Sequence, residues 1–221
     1  MKKYAVIVAG GAGLRMGSVI PKQFLLLHGK PVLWYTLDVF LRSYDDMEII
    51  LVAPREYMGT AGELVRNFPD AAGRIQVVCG GATRFHSVQN GLSVIREASV
   101  IFVHDGVRCL LSADLVRYCY AQALQHGSAI PVIDSRDSVR LVTAAGNEAV
   151  DRSRIKLVQT PQTFLSDILL PAYQLEYKDH FTDEATVVES FGRKIHLVEG
   201  EVNNIKITTP ADLAVAESLI V

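Results

Sequence analysis

The stretch Ala9-Gly10-Gly11-Ala12-Gly13-Leu14-Arg15-Met16-Gly17, followed by Pro21-Lys22-Gln23, is the part of the chain best equipped to hold an anion. Glycines let backbone N–H groups approach a phosphate closely, and Arg15 and Lys22 add fixed positive charge to the same segment. Two familiar phosphate loops do not match it. No glycine stands at the G-x-x-x-x-G-K-[ST] spacing from a Gly-Lys pair, and G-x-G-x-x-G fails because Met16 occupies its last position. Kinase-like ATP binding and dinucleotide binding both lose support. Binding of another polyanion remains, against the plainer alternative of a glycine turn closing a strand onto a helix.

Such a loop acts only if a strand delivers it to an open edge. Residues 4–8 form an apolar run that stops at Gly10-Gly11, the pattern of a strand buried on both faces. Further strands are predicted over 48–53, 75–79, 100–104 and 129–133. Helices are predicted between them: 31–43, with Leu33, Leu37, Phe40 and Leu41 on one face; 84–97, with Phe85, Val88, Leu92 and Ile95 on one side; and 115–124. This alternation implies an α/β fold, a mostly parallel sheet flanked by helices. The polar loops after Val8, Cys79 and His104 fall at the carboxyl ends of strands, where such sheets bind ligands. Residues 138–143 and 148–151, around a turn at 144–147, break the alternation and predict an appended β-hairpin. From the pattern alone it is either a surface excursion or an arm that packs on a second subunit. Thr209 and Pro210 have the types of an N-cap and a first helical residue for a last helix.

Length and composition set the outer limits. The 221 residues fit a single domain over 1–221, with the arm at about 136–155. Hydrophobic residues make up 49% and charged residues 21%, which argues against disorder and against a small disulfide scaffold. The net charge of -2, from 22 basic and 24 acidic residues, provides no bulk attraction to nucleic acid or to a membrane surface. No apolar run reaches the roughly 18 residues of a bilayer span. Lys2-Lys3 and the apolar run behind them resemble a signal peptide only briefly, because glycines and Arg15 interrupt it. Cys79, Cys109 and Cys119 are odd in number and lack C-x-x-C spacing, which favours a reduced, cytoplasmic setting. No His/Cys/Glu grouping has zinc-like spacing, and no protein-held metal is expected.

Several motifs together resemble one family. The glycine loop with Pro-Lys-Gln looks like the nucleotide loop of sugar-nucleotidyltransferase-like enzymes, and the nearest match is the 2-C-methyl-D-erythritol 4-phosphate cytidylyltransferase family. Gly80-Gly81-Ala82-Thr83-Arg84-Phe85-His86-Ser87-Val88 and Val103-His104-Asp105-Gly106-Val107-Arg108 are similar to two further family motifs. Asp151-Arg152, Thr160-Pro161-Gln162, Thr182-Asp183-Glu184-Ala185 and Asn204-Ile205-Lys206-Ile207-Thr208 complete the set, in family order over almost the whole chain. Ala82 departs from the pattern, since the best-known members carry an acid there. Cys109 departs too, standing where proline is usual.

The resemblance implies a Rossmann-like nucleotidyltransferase fold and transfer of CMP from CTP to methylerythritol phosphate, with release of pyrophosphate in the non-mevalonate isoprenoid pathway. A pentitol phosphate such as ribitol 5-phosphate is the alternative acceptor, and the Thr182-Asp183-Glu184-Ala185 stretch favours the first. The nucleophile would be a phosphate oxygen, largely dianionic at neutral pH, so no general base is needed. The difficulty is electrostatic, one anion attacking another. The resemblance assigns catalysis to Arg15, Lys22, Arg152 and Lys206, and nucleotide binding to Ala9, Gly10, Gly11, Gly13, Gly81, Ala82, Ser87 and Gly106. It assigns the polyol phosphate to Asp105, Arg108, Thr160 and Thr182. Mg²⁺ would be bound mainly through the CTP phosphates. A homodimer is implied, with Arg152, and by looser correspondence Ser138, reaching the neighbouring subunit's site. No nucleic-acid or membrane partner is implied.

Overall fold

The structure is a computed structural model and describes residues 1–11, 16–17 and 20–220. In chain order the elements are β1 (Lys2–Val8), β2 (Leu26–Leu27), β3 (Lys30–Pro31), α1 (Val32–Ser43), β4 (Met47–Ala53), α2 (Met58–Val65), β5 (Ile75–Cys79) and α3 (Arg84–Leu92). They continue with β6 (Ser99–Asp105), α4 (Ala113–His126), β7 (Ser128–Asp134), β8 (Val139–Thr143), β9 (Gly146–Val150) and β10 (Lys156–Val158). The chain closes with β11 (Gln162–Leu165), α5 (Ser166–Ala172), α6 (Glu184–Ser190), β12 (Leu197–Glu199) and α7 (Pro210–Leu219).

Among the described residues the main sheet has eight strands in the order β10-β7-β11-β6-β1-β4-β5, with β12 also on β7. β1 runs parallel to both β4 and β6, and β4 parallel to β5. The strand period of two divides the core cleanly. Ala5, Ile7, Ile49 and Leu51 point into one apolar cluster with residues of α1, α2 and α4. Val6, Ile50 and Val52 point into the other, with residues of α3, α5 and α6. Burial on both faces explains why these strands read as continuous apolar runs in the sequence.

The expected α/β architecture stands, with three local differences. α3 ends at Leu92 rather than at 97. A turn closed by Ile95 N–H donating to the Leu92 carbonyl buries Ile95, so the apolar spacing outlasts the helix. The hairpin turn is shorter than 144–147, because Gly146 already pairs with Thr143 and only Ala144 and Ala145 lie between the strands. The sheet is also less uniformly parallel than the alternation implies. β11, absent from the sequence-based expectation, runs antiparallel between β6 and β7. It is only four residues long and follows the cis Thr160–Pro161 bond, too brief to show a period. α7 begins as expected: the Thr209 side chain accepts from Asp212 N–H while the Asp212 carboxylate accepts from the Thr209 N–H.

Candidate active site

β1, β5 and β6 all end at one edge of the sheet, and their following loops enclose a cleft of about 730 Å³. Ala9, Gly10 and Gly11 form one wall, and Gly80, Gly81, Ala82 and Ser87 form the opposite one. Lys22, Asp105 and Lys206 also line it. A second cavity of about 190 Å³ adjoins it, lined by Arg108, Gln159, Thr160, Gln162, Thr182 and Asp183. Arg84, Asp105 and Lys206 line both and so mark their common border.

The Gly81 wall is built by local hydrogen bonding. Thr83 caps α3, with its hydroxyl accepting the His86 N–H. One turn on, the Ser87 hydroxyl accepts the Gly81 N–H at 3.1 Å and donates to the Thr83 carbonyl at 2.9 Å. Ser87 thus fixes the glycine turn while facing the cleft. Gly81 is required by space, since a Cβ there would lie 2.5 Å from the His86 Cβ. On the opposite wall, the Gln23 side-chain amide donates to the Ala9 carbonyl at 2.6 Å, and the Lys22 ammonium donates to the Ile207 carbonyl at 2.7 Å.

The border is a line of alternating charge. The Arg84 guanidinium donates from Nη1 and Nη2 to the two oxygens of Glu184, at 2.5 and 3.1 Å, and from Nε to Asp105 Oδ1 at 3.2 Å. The other Asp105 oxygen pairs with the Lys206 ammonium at 2.8 Å. Burial by itself would raise the Asp105 carboxyl, but Arg84, Lys206 and Arg108 outweigh it and hold the acid well below the usual carboxylate range. Arg84 is pulled down by burial and pushed further up by Glu184 and Asp105, so it stays charged.

Beneath this line lies a buried hydrogen-bonded chain. The Asp105 N–H donates to the Thr160 hydroxyl, and that hydroxyl lies 3.0 Å from His104 Nδ1. The other ring nitrogen, Nε2, lies 3.2 Å from the Arg108 carbonyl, which can only accept. The proton therefore sits on Nε2, and Nδ1 accepts from Thr160. His104 is fully buried, and burial pushes its pKa down to about 3. Arg108 donates to the Asn204 carbonyl at 2.8 Å, its Nε has no protein partner among the described residues, and burial lowers its pKa.

The structure therefore brings Ala9, Gly10, Gly11, Lys22, Gly81, Ala82, Ser87, Asp105 and Lys206 to the larger cleft, and Asp105, Arg108, Thr160, Thr182 and Lys206 to the smaller cavity. Gly13 and Arg15 lie outside the described residues. Gly106 does not line the cleft. A Cβ there would meet a Leu33 methyl at 2.8 Å and the Val8 carbonyl at 3.3 Å, so its lack of a side chain serves packing of α1 against β1. Arg152 lies away from both cavities, exposed at the base of the hairpin, with Nη1 donating to the Arg136 carbonyl at 3.0 Å. Ser138 is likewise exposed beside β8. Sequence reasoning passed over Gln23, Arg84, His104 and Glu184 as working groups. Each stands inside one of the family-like motifs; Gln23 reaches Ala9 only 14 positions back, but Thr160 is 56 positions from His104 and Glu184 is 100 from Arg84.

Comparison with known proteins adds an independent line. A family model described as 2-C-methyl-D-erythritol 4-phosphate cytidylyltransferase matches residues 4–221. The protein of that name from Bacteroides thetaiotaomicron is 48% identical over 221 residues, covering 100% of both chains. Its namesake from Porphyromonas gingivalis is 47% identical, covering 99% of this chain and 98% of that one. A 4-diphosphocytidyl-2C-methyl-D-erythritol synthase structure from Anaerococcus prevotii superposes with a TM-score of 0.83 at 30% identity, covering 98% and 95% of the two chains. The 2-C-methyl-D-erythritol 4-phosphate cytidylyltransferase structure from Francisella tularensis gives 0.80 at 32% identity, with 99% of each covered.

Proposed function

The chain belongs to the 2-C-methyl-D-erythritol 4-phosphate cytidylyltransferase family, and from that premise we propose that the larger cleft takes CTP and the smaller cavity the polyol phosphate. The enzyme transfers CMP from CTP to 2-C-methyl-D-erythritol 4-phosphate and releases pyrophosphate, a step of isoprenoid synthesis. The observation that carries the site assignment is the shared border: two cavities of unequal size meet at Asp105 and Lys206, where the two substrates must react.

The chemistry needs charge more than proton transfer. A phosphate oxygen of the polyol phosphate attacks the α-phosphorus of CTP, and the bond from that phosphorus to the departing pyrophosphate breaks. A phosphate monoester is already largely dianionic at neutral pH, so no side chain need remove a proton. Lys22, Lys206 and Arg15 screen the repulsion and stabilise charge on the crowded phosphorus. Ala9, Gly10, Gly11, Gly13, Gly81 and Ala82 offer backbone groups to the nucleotide, with Ser87 holding the turn that presents them. Arg108 receives the acceptor phosphate, with Thr160 and Thr182 beside it, and Asp105 accepts from polyol hydroxyls.

Magnesium fits this arrangement as an ion carried by the nucleotide. Among the described residues no cluster of three or more His, Cys, Asp or Glu could hold an ion. Asp105 is the carboxylate at the border, and both its oxygens already have cationic partners. Mg²⁺ characteristically keeps substrate phosphates and waters as ligands, and it supplies charge neutralisation.

A homodimer completes the proposal. The hairpin exposes Leu141 and Val142, and Val142 is 80% exposed, which suits an arm that covers a partner. Arg152 at its base then acts in the neighbouring subunit's site, which accounts for its distance from both cavities here. Among the described residues no helix is long and apolar enough to cross a membrane; a cytoplasmic setting is proposed with the rest. The test is pyrophosphate release with CTP and Mg²⁺, comparing methylerythritol 4-phosphate with ribitol 5-phosphate. Turnover with the first alone supports the site reading, and turnover with ribitol 5-phosphate alone overturns the polyol assignment.

A further inference from the structure

Two residues of the family-like motifs, Arg84 and Glu184, have no part in the reaction as described, yet they make the most buried ion pair at the site. Glu184 is completely buried, and the Arg84 side chain is 27% exposed. The carboxylate is held from two sides. Both its oxygens receive the guanidinium, and Oε1 also accepts from the Tyr173 hydroxyl at 3.1 Å. Tyr173 stacks on Phe85, the neighbour of Arg84, with ring centroids 4.8 Å apart. The helix carrying Glu184 is itself pinned: the Gln162 side chain donates to Asp183 and accepts the Ala185 N–H.

A guanidinium fixed through two of its nitrogens has its third, Nε, aimed in one direction only, because the group is planar and rigid. That direction is Asp105 Oδ1. Along Glu184, Arg84, Asp105 and Lys206 the charges alternate and sum to zero. Arg84 therefore brings no spare charge to either substrate. Its contribution is the orientation and ionisation of its neighbour.

We infer that Arg84, anchored by Glu184, is a positioning residue that aims the Asp105 carboxylate at the acceptor's hydroxyl groups and thereby sets affinity for the polyol phosphate rather than for CTP. This rests on the assignment of Asp105 to the polyol. Replacing both members of the pair leaves no lone buried charge, so Arg84→Gln with Glu184→Gln is the variant of choice. Pyrophosphate release should show the KM for methylerythritol 4-phosphate raised about tenfold, the loss expected for a charge-assisted hydrogen bond. The KM for CTP should stay within about twofold. The same double replacement in an Asp105→Asn background should add less than about twofold, because residues acting through one another are not additive.

Equal rises in both Michaelis constants, or a full tenfold effect persisting in the Asp105→Asn background, would overturn the inference and leave Arg84 a fold element. If Asp105→Asn alone leaves the polyol KM unchanged, the assignment of Asp105 fails instead, and the two failures are told apart. Should the double variant not fold, Arg84→Lys keeps the charge and loses the fork. A wild-type KM for the polyol phosphate in that variant overturns the inference equally.

Discussion

The Lys22 ammonium donates a 2.7 Å hydrogen bond to the carbonyl of Ile207, 185 positions further along the chain. Ile207 is the residue after Lys206, so this bond ties the segment of the first motif to the segment of the last. Both lysines line the larger cleft. Neither residue type nor spacing in the sequence specifies that meeting.

Lys22→Ala should lower kcat by at least about 100-fold, the usual scale for losing a contact that stabilises transition-state charge. Circular dichroism should show the fold retained, since loss of the hydrogen bond to the Ile207 carbonyl costs about 1 kcal/mol, a small share of a fold's stability. Steady-state turnover near the wild-type rate would remove Lys22 from the mechanism.

The two glycine walls should respond differently to a methyl group. In Gly10→Ala the new Cβ finds, among the described residues, no atom nearer than the Ser87 Oγ at 3.9 Å, so thermal stability should hold while the KM for CTP rises. In Gly81→Ala the Cβ lies 2.5 Å from the His86 Cβ, and overpacking should cost about 1–3 kcal/mol of stability as well. Thermal melts alongside CTP kinetics distinguish the pair. A Gly10→Ala enzyme with unchanged CTP kinetics would contradict close approach of the nucleotide to that backbone.

His104 should make the protein acid-sensitive well above the carboxylate range. Its folded pKa is pushed down to about 3 by burial, against about 6.5 in an unfolded chain. Between those values the unfolded state binds the extra proton, so stability falls as pH falls, by up to about 1.4 kcal/mol per unit. The Asp105 and Asp212 carboxyls, held low in the fold, withdraw their own support only near and below about 4. Urea unfolding at pH 6.5, 5.5 and 4.5 should therefore show a shallower decline in His104→Gln, which keeps a donor and an acceptor without the titration. Parallel declines would mean the ring is not held neutral.

Arg152→Ala should impair use of the polyol phosphate more than of CTP. If the arm acts in trans, mixing this variant with Lys22→Ala should recover up to about a quarter of wild-type activity, because each hybrid of a symmetric dimer keeps one intact site. No recovery after demonstrated subunit exchange would place Arg152 outside the partner's site.

Much was legible because local physics writes it into the sequence. The runs at β1 and β4 show two-sided burial directly, Thr209 and Pro210 mark the start of α7, and glycines after β1 and β5 mark where backbone must stay open. β11 and α6 were not legible, since four and seven residues carry too little period. Local patterning alone marks β1, α1, β4, β5, α3, β6, α4, β7, the hairpin and α7 in order, and the sheet edge at which the glycine-rich loops collect. Packing decides which charges neutralise one another, so that Glu184 takes Arg84 while Arg84 and Lys206 share Asp105, and it decides that the Arg108 carbonyl holds the His104 proton on Nε2. Periodicity and capping act within a few residues and leave a trace in the sequence. Ion pairing in a buried site depends on distances of about 3 Å between groups far apart in the chain, and only the packed fold sets those.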